Sequence, residues 1–529
     1  MIDLKKEIRK LPESDPGAEP VHVGIVCPGT YPVALASLGF QTVHRIAHSH
    51  PGIIAHRITL ESTHSGKHKA RTLEESLEIK SLDALLISCS FELDYINLVR
   101  ILHSAGINPL RRKRKSLPML IFGGIAVTGN PEPIAGIADA IAIGDAEIIL
   151  PGILDDFIDL FPLLRGARFL AGRDKLYESW DNLPGVYVPA LWEDKKGGFE
   201  NPDNRSIVQA YIENADSYPS FTPVVAPDGA YGAKNLISIS SGCLTGCRFC
   251  MLSHITSPEP VRSFESIIEN ARIFSPDEAS VGLVSSRVSD HPEIVHTINT
   301  LADFGYSVSV SSLKVSSTTP DLLNALHRAG TSGVTFAPEH GSERIRRILG
   351  KPYSYDEVRD RVAWSFDCGI SNVKLYFLTG FEEETDDDLD STSEFIISLC
   401  RDTGLEKRPG TCRLGISIAP FVPKPGTPFQ RRAMQDDRTL KRKLKRITSS
   451  LKGIPRLDCE YESPRLSILQ GIFSVGNRTL EKYLEDISKN DLPVLSAWER
   501  AVEKFGDSPL QLVLKLRPVD EWKIPWGFI

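Results

Sequence analysis

Short apolar runs and amphipathic segments alternate over the first third of this chain. The runs are rich in β-branched residues, and segments such as 94–104 carry the 3.6-residue periodicity of helices between them. The predicted strands are Val21–Val26, Ile53–Leu60, Leu85–Ser88, Met119–Phe122 and Ala140–Ile143. Alternating helices and strands, with the strands apolar throughout, are typical of a doubly wound, mostly parallel sheet. The pattern therefore predicts an α/β domain over 21–165.

A second strand–helix series begins at Lys234. Its predicted strands are Leu236–Ser240, Ala279–Val284, Ser307–Leu313, Gly333–Ala337, Val373–Leu378 and Leu414–Ala419. Helical segments separate these strands, and six such units fall short of the eight that close a full (β/α)8 barrel. The series therefore predicts a partial (β/α)6 barrel over 234–430.

The remaining segments carry different signals. Residues 1–20 are charged and rich in proline and glycine, which predicts a tail. Residues 166–233 are rich in Gly, Pro, Asp and Asn with few periodic runs, which predicts a connector packed on its neighbours. Closely spaced prolines from Pro420 to Pro428 end the second series, and 431–529 is predicted to be a mainly helical C-terminal domain.

The composition narrows the class of protein. The 529 residues are 41% hydrophobic and 24% charged, with 61 basic and 68 acidic side chains and a net charge of −7. This is the composition of a globular protein of several domains, and it argues against a nucleic-acid partner. No run approaches the roughly 18 apolar residues of a membrane span, and the first 20 residues lack an apolar signal core. We therefore expect a cytoplasmic protein without a membrane span.

The nine cysteines are too sparse for a disulfide framework, but three of them cluster. Cys243, Cys247 and Cys250 have the spacing C-x3-C-x2-C directly after the first strand of the second series. Thiolates bind soft metals and iron–sulfur clusters. A structural zinc site needs four ligands, so the alternatives are an incomplete zinc site that uses His254 and three unconnected buried cysteines. The motif predicts three thiolate ligands and one open metal position.

With the aromatic Phe249 before its third cysteine, this motif resembles that of the radical SAM superfamily, and the resemblance covers roughly 234–430. It implies that the three cysteines hold a 4Fe-4S cluster whose open iron binds S-adenosylmethionine. It also implies that one electron, from a donor such as flavodoxin or ferredoxin, cleaves the sulfonium to methionine and a 5′-deoxyadenosyl radical. In such enzymes the cofactors supply the chemistry and the protein positions them.

Other segments fit the same family. Residues 335–344 resemble the strand-end segment with which relatives contact S-adenosylmethionine, and 374–381 resemble the late glycine segment beside the adenine. The residues implied to contact S-adenosylmethionine are Phe249, Ser311, Ser312, Glu339 and Gly380. Two features depart from the family: residues 382–383 are Glu-Glu where relatives often carry Pro-Gly, and no glycine-glycine-acid motif is evident after the second strand. A surface or helix-cap carboxylate is the alternative for Glu339.

The first α/β domain resembles the cobalamin-binding-like domains fused before radical SAM barrels. The match rests on the segments 121–133, 139–147 and 31–40. Glycines directly after strands let a ligand approach the backbone at the carboxyl edge of a sheet, although they also make tight turns. The residues implied to contact cobalamin are Tyr31, Ser88, Gly123, Gly124, Gly144 and Glu147.

The D-x-H-x-x-G loop, which supplies a histidine to cobalt in other cobalamin proteins, is absent from the sequence. Four histidines lie nearby without that context and are each predicted to be exposed polar residues: His44, His48, His50 and His56. The resemblance therefore implies cobalamin without a protein ligand to cobalt. A domain that has kept the fold without the cofactor is the alternative.

Two basic runs, 111–115 and 431–446, raise the alternative that this chain guides RNA phosphates. Neither run contains interleaved aromatic residues, and the chain as a whole is acidic. Solvated loops and helix faces are therefore the favoured interpretation.

Together these features predict a cobalamin-dependent radical SAM methyltransferase that acts on an unactivated carbon. The substrate is not identified by the sequence, and neither is a catalytic residue; a protein or peptide is one class of substrate, with a glutamine of methyl-coenzyme M reductase as a candidate. The runner-up is a radical SAM enzyme of another class, such as a cyclase, that does not use cobalamin. The third hypothesis is a non-catalytic iron–sulfur protein that senses redox state or binds RNA. A methylthiotransferase is disfavoured, because such enzymes carry a second three-cysteine cluster and the first domain offers only Cys27 and Cys89.

Overall fold

The structure is a computed structural model that describes residues 2–62, 70–194, 198–201, 204–256, 258–506, 508–519 and 523–529. The strands before residue 234 are β1 (Ile8–Arg9), β2 (Val21–Val26), β3 (Ile53–Ile58), β4 (Ala84–Ser88), β5 (Met119–Gly123), β6 (Ala140–Ala142), β7 (Val186–Tyr187) and β8 (Val224–Val225). The α-helices of the same region are α1 (Tyr31–Leu35), α2 (Leu38–Ser49), α3 (Asp94–Ser104), α4 (Ile125–Gly129), α5 (Ala146–Leu164) and α6 (Phe169–Trp180).

The first sheet has the strand order β3-β2-β4-β5-β6-β7. All its pairings are parallel except that of β7, which is antiparallel to β6. Helices α2, α5 and α6 pack on one face of the sheet, and α3 and α4 pack on the other. The predicted doubly wound sheet is therefore confirmed. Because the winding direction reverses where β4 follows on the other side of β2, this sheet has a switch point of the kind at which ligands bind.

The second series contains β9 (Lys234–Ser238), β10 (Ser280–Val284), β11 (Val308–Val310), β12 (Gly333–Glu339), β13 (Asn372–Thr379), β14 (Arg413–Pro420) and β15 (Leu457–Tyr461). These strands are all parallel, in the orders β11-β10-β9 and β12-β13-β14-β15, and a parallel bridge from Leu313 to Phe336 links the two groups. The six predicted strands are thus present in the predicted order. Their closure into a partial barrel stays a prediction.

The α-helices of this second half are α7 (Leu252–Ile255), α8 (Phe264–Ala271), α9 (Ile294–Asp303), α10 (Pro320–Arg328), α11 (Glu343–Leu349), α12 (Tyr355–Asp367), α13 (Asp386–Asp402), α14 (Asp437–Ser449), α15 (Pro464–Val475), α16 (Glu481–Ile487), α17 (Val494–Phe505) and α18 (Gln511–Leu514). The C-terminal region is mainly helical, as predicted. None of the helices that the structure describes combines the length and the apolar character needed to cross a membrane.

Three segments differ from the sequence-based predictions. The expected tail is held in place, because β1 pairs with β8 and the buried Glu7 accepts a hydrogen bond from Arg57 at 2.8 Å. The expected connector contains α6, and the C-terminal region adds β15 to the sheet of β12, β13 and β14. Residues 195–197 and 202–203 of the connector, and 507 and 520–522 of the C-terminal region, lie outside the described residues. We propose 21–165, 166–233, 234–430 and 431–529 as the domain boundaries.

The C-terminal region packs on the first domain as well as on the second sheet. The hydrophobic core beneath α3 continues without interruption into α15, α16 and α17. At the contact, the side-chain amide of Asn130 donates hydrogen bonds to the carbonyl oxygens of Ser474 at 3.0 Å and Gly476 at 2.8 Å. This shared core holds the first domain against the strands that follow it.

Candidate functional site

The three cysteines of the motif lie on the loop between β9 and α7. Gly242 and Gly246 in this loop have left-handed φ angles of 79° and 74°, which glycine adopts without a steric penalty. A Cβ atom on Gly242 would lie 2.3 Å from the carbonyl oxygen of Thr256, so the loop has no room for a larger residue there. The N–H of Cys250 donates to the carbonyl of Cys247 at 3.1 Å, which turns the chain toward α7. The backbone thus fixes the positions of the three thiols.

The three thiols are free and largely protected from solvent. Cys243 and Cys247 are buried, and Cys250 is half-buried. Burial raises the pKa of the Cys247 thiol to about 11, an effect that the Lys351 ammonium opposes and the Cys250 thiol reinforces. A metal centre is the usual way to deprotonate such thiols, because metal binding displaces the proton.

Among the described residues, no group of three or more His, Cys, Asp or Glu side chains could hold a metal ion. The three thiols are close enough to affect one another's pKa. In a 4Fe-4S cluster each cysteine sulfur binds a different iron, so three thiols on one short loop are a donor set that fits a cluster. His254 does not complete a zinc site, since its Nε2 lies 3.0 Å from the carbonyl oxygen of Cys247. Cys243, Cys247 and Cys250 are therefore the residues that would hold the cluster.

Glu339 ends strand β12 beside the cysteine loop. Its backbone has a left-handed φ of 70° at an irregularity in the pairing with β13, a conformation that costs a non-glycine residue about 1–3 kcal/mol. The side chain is buried, and its Oε1 accepts a hydrogen bond from Lys351 Nζ at 2.7 Å. Burial raises the pKa of Glu339, and the neighbouring ammonium opposes that rise. Burial excludes the alternative of a surface carboxylate.

Serine hydroxyls connect the ends of β9, β10 and β11. Ser311 donates to the carbonyl of Ser285 at 2.5 Å and accepts from the Ser285 N–H at 3.1 Å. Ser285 Oγ in turn lies 2.7 Å from Ser240 Oγ, directly before the cysteine motif. The predicted Ser311 therefore lies within reach of the cysteine loop through two hydrogen bonds, and Ser312 follows it as a half-buried residue.

The other two residues expected to contact S-adenosylmethionine have clear packing roles. Phe249 packs on an apolar cluster that includes Phe421 and Phe429. Gly380 has a φ of 98°, and a Cβ atom there would lie 2.6 Å from the side chain of Leu440 on α14. The close approach of α14 therefore accounts for this glycine, and its contact with a ligand stays a prediction.

A cavity of about 320 Å³ lies between the carboxyl edge of the first sheet and the end of β9, the first strand of the second domain. The first domain contributes Gly39, Ser88, Gly123, Gly124, Gly144 and Glu147, and the second contributes Ser238, Ser240, Ser241, Thr256 and Arg262. Five of the six residues predicted to contact cobalamin thus line a single cavity at the switch point. Cavities of this size and position commonly bind cofactors.

The glycines of this cavity have two different roles. A Cβ atom on Gly123 would lie 3.8 Å from Ala142 Cβ, and one on Gly39 would lie 4.0 Å from Ser88 Oγ, so both positions have free space beside them. A Cβ atom on Gly124 would instead lie 2.4 Å from the carbonyl oxygen of Cys89. A Cβ atom on Gly144 would lie even closer to the backbone, at 1.8 Å from the carbonyl oxygen of Ala210. Backbone packing therefore requires glycine at 124 and 144, whereas 39 and 123 leave room for a ligand.

Tyr31, the sixth predicted cobalamin contact, is not among the residues that line the cavity. Its ring is buried beside Leu35 and Val224, and its hydroxyl donates to Glu7 Oε1 at 2.6 Å. The partner lies in the N-terminal segment that the sequence indicated as a tail. Tyr31 therefore fastens this segment to the first domain.

None of the four nearby histidines is exposed, contrary to the prediction: His44 and His56 are buried, and His48 and His50 are half-buried. His44 is 3% exposed, and His56 is 1% exposed. His56 Nε2 lies 2.9 Å from Nδ1 of His22 on the neighbouring strand, and the two rings stack. Stacking and this hydrogen bond compensate His56 for the loss of water.

Polar groups complete the wall of the cavity. Glu147 lies in the first turn of α5, and burial raises its pKa. Asp145 accepts a hydrogen bond from the N–H of Ile212 at 2.7 Å, which brings the segment 209–212 to the cavity. The buried Arg262 donates from Nε to the carbonyl of Ser238 at 3.0 Å, at the end of β9.

A second cavity, of about 280 Å³, lies beside the first, toward the cysteine loop. The two share Asp145, Gln209, Ile212, Ser240, Ser241 and Thr256, and the second adds Gly242, Leu252, Ser285 and Ser286. The cavity beside the first sheet is therefore adjacent to one that the cysteine loop helps to line. A substrate between them would touch both domains.

The basic runs take part in ion pairs within the chain. Arg112 pairs with Glu481 at 2.5 Å, and Lys113 pairs with Glu485 at 2.6 Å. In the second run, Arg446 pairs with Asp390 on α13 at 2.6 Å. These contacts favour the interpretation of the runs as paired loops and helix faces.

Sequence reasoning missed three residues of the site: Lys351, Gln209 and Arg262. Lys351 reaches Glu339 because α11 folds back on its own strand end, and nothing in the sequence marks that contact. Gln209 and Arg262 line the cavity from segments without a motif.

Two family models match this chain. The model described as "Radical SAM proteins, N-terminal" matches residues 39–189, and that described as "Radical SAM superfamily" matches residues 237–396. The first match covers most of the first sheet with its cavity glycines, and the second begins within β9 and includes the cysteine loop and Glu339.

Known proteins resemble this chain in sequence and in fold. It is 30% identical over 446 residues to an uncharacterized protein of Methanocaldococcus jannaschii, which covers 82% of this chain and 87% of that protein. It is 23% identical over 330 residues to the tRNA-2-methylthio-N(6)-dimethylallyladenosine synthase of Coxiella burnetii, covering 57% and 67% of the two chains. Among solved structures, it is similar to the radical S-adenosylmethionine methyltransferase TsrM of Kitasatospora setae with cobalamin and a 4Fe-4S cluster bound. That match has a TM-score of 0.53 at 12% identity and covers 92% of this chain and 100% of TsrM, so it bears on the fold alone.

Proposed function

Because this chain belongs to the radical SAM superfamily, in the subgroup with a cobalamin-binding-like N-terminal domain, we propose that it is a cobalamin-dependent methyltransferase acting on an unactivated carbon. The observation that carries this proposal is the pair of adjacent cavities between the two domains. In the first of them, one domain contributes the open Gly39 and Gly123, and the other contributes Ser240 and Ser241, which shortly precede the cysteine motif.

When bound, the cluster with S-adenosylmethionine would supply a carbon-centred radical, and cobalamin would supply the methyl group. Cys243, Cys247 and Cys250 would hold the cluster, and Glu339 would bind S-adenosylmethionine. Ser88, Gly123, Gly124, Gly144 and Glu147 would line the cobalamin site, and no residue of this chain is assigned as a ligand to cobalt. These residues would bind and orient the cofactors, and would keep water from the reacting carbon of the substrate.

The substrate would enter the second cavity, between the two cofactor sites. Its wall combines uncharged polar residues, among them Gln209, Tyr211, Ser241 and Ser286, with apolar residues such as Leu252 and Val284. We propose a protein or peptide as the substrate, with a glutamine of methyl-coenzyme M reductase as a candidate. We also propose flavodoxin or ferredoxin as the source of the electron.

A methylthiotransferase is the alternative that the sequence relatives raise, since one of them is named a tRNA-2-methylthio-N(6)-dimethylallyladenosine synthase. The number of thiols in the first domain argues against a methylthiotransferase. The first domain contains Cys27 and Cys89 and no third cysteine for a second cluster. Both thiols are buried, and burial raises the pKa of each.

The deciding experiment uses anaerobically reconstituted protein, hydroxocobalamin and trideuteromethyl-labelled S-adenosylmethionine with candidate substrates. We expect cobalamin uptake, transfer of all three deuterium atoms to the product, and equal amounts of adenosylhomocysteine and 5′-deoxyadenosine by mass spectrometry. Turnover that yields 5′-deoxyadenosine without cobalamin would support a radical SAM enzyme of another class. Failure to cleave S-adenosylmethionine at all would support a non-catalytic iron–sulfur protein.

A further inference from the structure

Lys351 lies between the cysteine loop and Glu339. It follows α11, which ends at Gly350 in a left-handed conformation with a φ of 81°. The carbonyl of Leu349, the last residue of α11, accepts a hydrogen bond from the N–H of Arg248 at 3.0 Å. A Cβ atom on Gly350 would lie 3.6 Å from the Cα of Cys247. The C-terminal end of α11 therefore rests directly on the cysteine loop.

From this corner the Lys351 side chain reaches back to the end of β12. Its Nζ donates to the carbonyl oxygen of Ala337 at 3.1 Å and to Glu339 Oε1 at 2.7 Å. The side chain of Lys351 is 15% exposed, and that of Glu339 is 9% exposed. One ammonium thus binds both the backbone and the carboxylate of the same strand end.

Within the part of the chain that the structure describes, the hydrogen bond from Lys351 is the one that the Glu339 carboxylate accepts. Its Oε2 therefore remains available to a ligand. A carboxylate at a buried position needs a positive partner to stay charged, and removal of one member of a buried pair leaves the other uncompensated. Lys351 supplies that partner at the point where the φ of Glu339 is left-handed.

We propose that Lys351 is a positioning residue for the S-adenosylmethionine site: it fixes the Glu339 carboxylate at the strand end and leaves Oε2 to accept a hydrogen bond from S-adenosylmethionine. This inference rests on the proposed function. It adds a residue that no motif in the sequence marks, and it explains how a glutamate in a strained backbone conformation keeps one orientation.

The competing role for Lys351 is support of the cluster thiolates, because the ammonium also lies near Cys247. The two roles predict different losses. A residue that supports the thiolates would affect iron content, whereas a residue that positions Glu339 would leave the cluster intact and weaken S-adenosylmethionine binding.

The test uses full-length reconstituted protein and four variants: Lys351→Met, Lys351→Arg, Glu339→Gln and the double variant Lys351→Met with Glu339→Gln. S-adenosylmethionine affinity is measured by calorimetry, and the cluster is followed by iron content and by the change in its EPR spectrum when S-adenosylmethionine is added. We expect Lys351→Met to retain its iron and to bind S-adenosylmethionine about tenfold or more weakly, as expected for the loss of a charged hydrogen bond. Lys351→Arg, which keeps the charge, should recover part of the affinity.

The double variant decides whether Lys351 acts through Glu339. If it does, Lys351→Met should add little to the loss already caused by Glu339→Gln, since coupled residues are not additive. Arg347→Met is the matched control, because Arg347 lies in the last turn of α11, four residues before Lys351, but pairs with the exposed Glu343 at 2.6 Å. Its affinity should match that of the unaltered protein.

Three results would overturn the inference: loss of the cluster in Lys351→Met, unchanged S-adenosylmethionine affinity in that variant, or full additivity in the double variant. Each of these is meaningful only where the unaltered protein binds S-adenosylmethionine. Absence of that binding would contradict the proposed function itself, so the two failures are distinguishable.

Discussion

Arg478 and Glu132 form a two-pronged ion pair between the C-terminal region and the first domain. Arg478 donates from Nε to Oε2 at 2.8 Å and from Nη2 to Oε1 at 3.0 Å. The two residues are 5% and 1% exposed, and the Tyr187 hydroxyl also donates to Glu132 at 2.6 Å. The position of the C-terminal helices over the first domain thus depends on a buried charge pair as well as on the apolar core.

Replacement of Arg478 by Met should destabilise the protein strongly, because Glu132 would be left as a buried charge without its partner. Breaking a buried pair in this way costs about 3–5 kcal/mol of the free energy of unfolding. The control is Arg112→Met at the same interface, which removes a surface pair with Glu481 and should cost at most about 1 kcal/mol. Urea unfolding measures both, and equal losses would show that burial does not determine the strength of this pair.

The cluster ligands can be tested one cysteine at a time. Replacement of Cys243, Cys247 or Cys250 by Ala should abolish the cluster, because each thiol would bind a different iron. The remaining cysteines of the second half serve as controls and should keep the cluster on replacement by Ala: Cys368, Cys400, Cys412 and Cys459. The measurement is iron and sulfide content after anaerobic reconstitution, with roughly four of each expected per chain. Stoichiometric zinc without iron uptake would contradict the assignment.

The strands were predictable because their signal is local. Apolar β-branched runs gave every strand of the first sheet and of the second strand–helix series except β7 and β15, with ends that differ by a few residues. The edge strand β15 was missed because it is almost entirely exposed and has no apolar run. The cysteine motif was predictable for the same reason as the strands, since its whole chemistry lies within eight residues.

Contacts between distant segments were not predictable. Tyr31 was expected at the cofactor site, but it binds Glu7, whose charge indicated a solvated tail. Gly124 was expected to make room for a ligand, whereas its neighbour is the backbone of Cys89. A pattern along the chain indicates that a glycine is needed, but only the packed structure shows which atom requires it.

Gly123 is the glycine that tests the cobalamin site, because it has free space beside it and Gly124 does not. Gly123→Leu should reduce hydroxocobalamin uptake because its side chain would enter the free space of the cavity, while the iron–sulfur spectrum should be retained. Gly124→Leu would be a poor test, because the fold itself has no room for its Cβ. The matched control is Gly410→Leu, at a position where nothing lies within 4 Å of an added Cβ. Equal uptake by Gly123→Leu and the control, measured by absorbance after gel filtration, would mean that cobalamin does not bind in this cavity.

Asp94, the first residue of α3, provides a prediction about pH. Burial raises the pKa of its carboxyl to about 6, although the N–H of Phe91 donates to it at 3.2 Å. An aspartate in an unfolded chain has a pKa of about 3.9, so the folded protein holds this proton more tightly than the unfolded chain does. Stability should therefore fall as the pH rises from about 4 to about 6, and the full cost should be present above that window.

Asp94→Asn should remove this cost, since the amide oxygen can still accept the Phe91 N–H and carries no charge. We expect the variant to be more stable than the unaltered protein at pH 8, by about 3 kcal/mol at most, and to show no gain at pH 4. Thermal unfolding at the two pH values measures the difference. Asp321→Asn, which removes an exposed carboxylate from the first turn of α10, should show no gain at pH 8. A loss of stability at pH 8 in Asp94→Asn would mean that the charge at the start of α3 is favourable, and that the helix N-terminus outweighs the burial of the carboxylate.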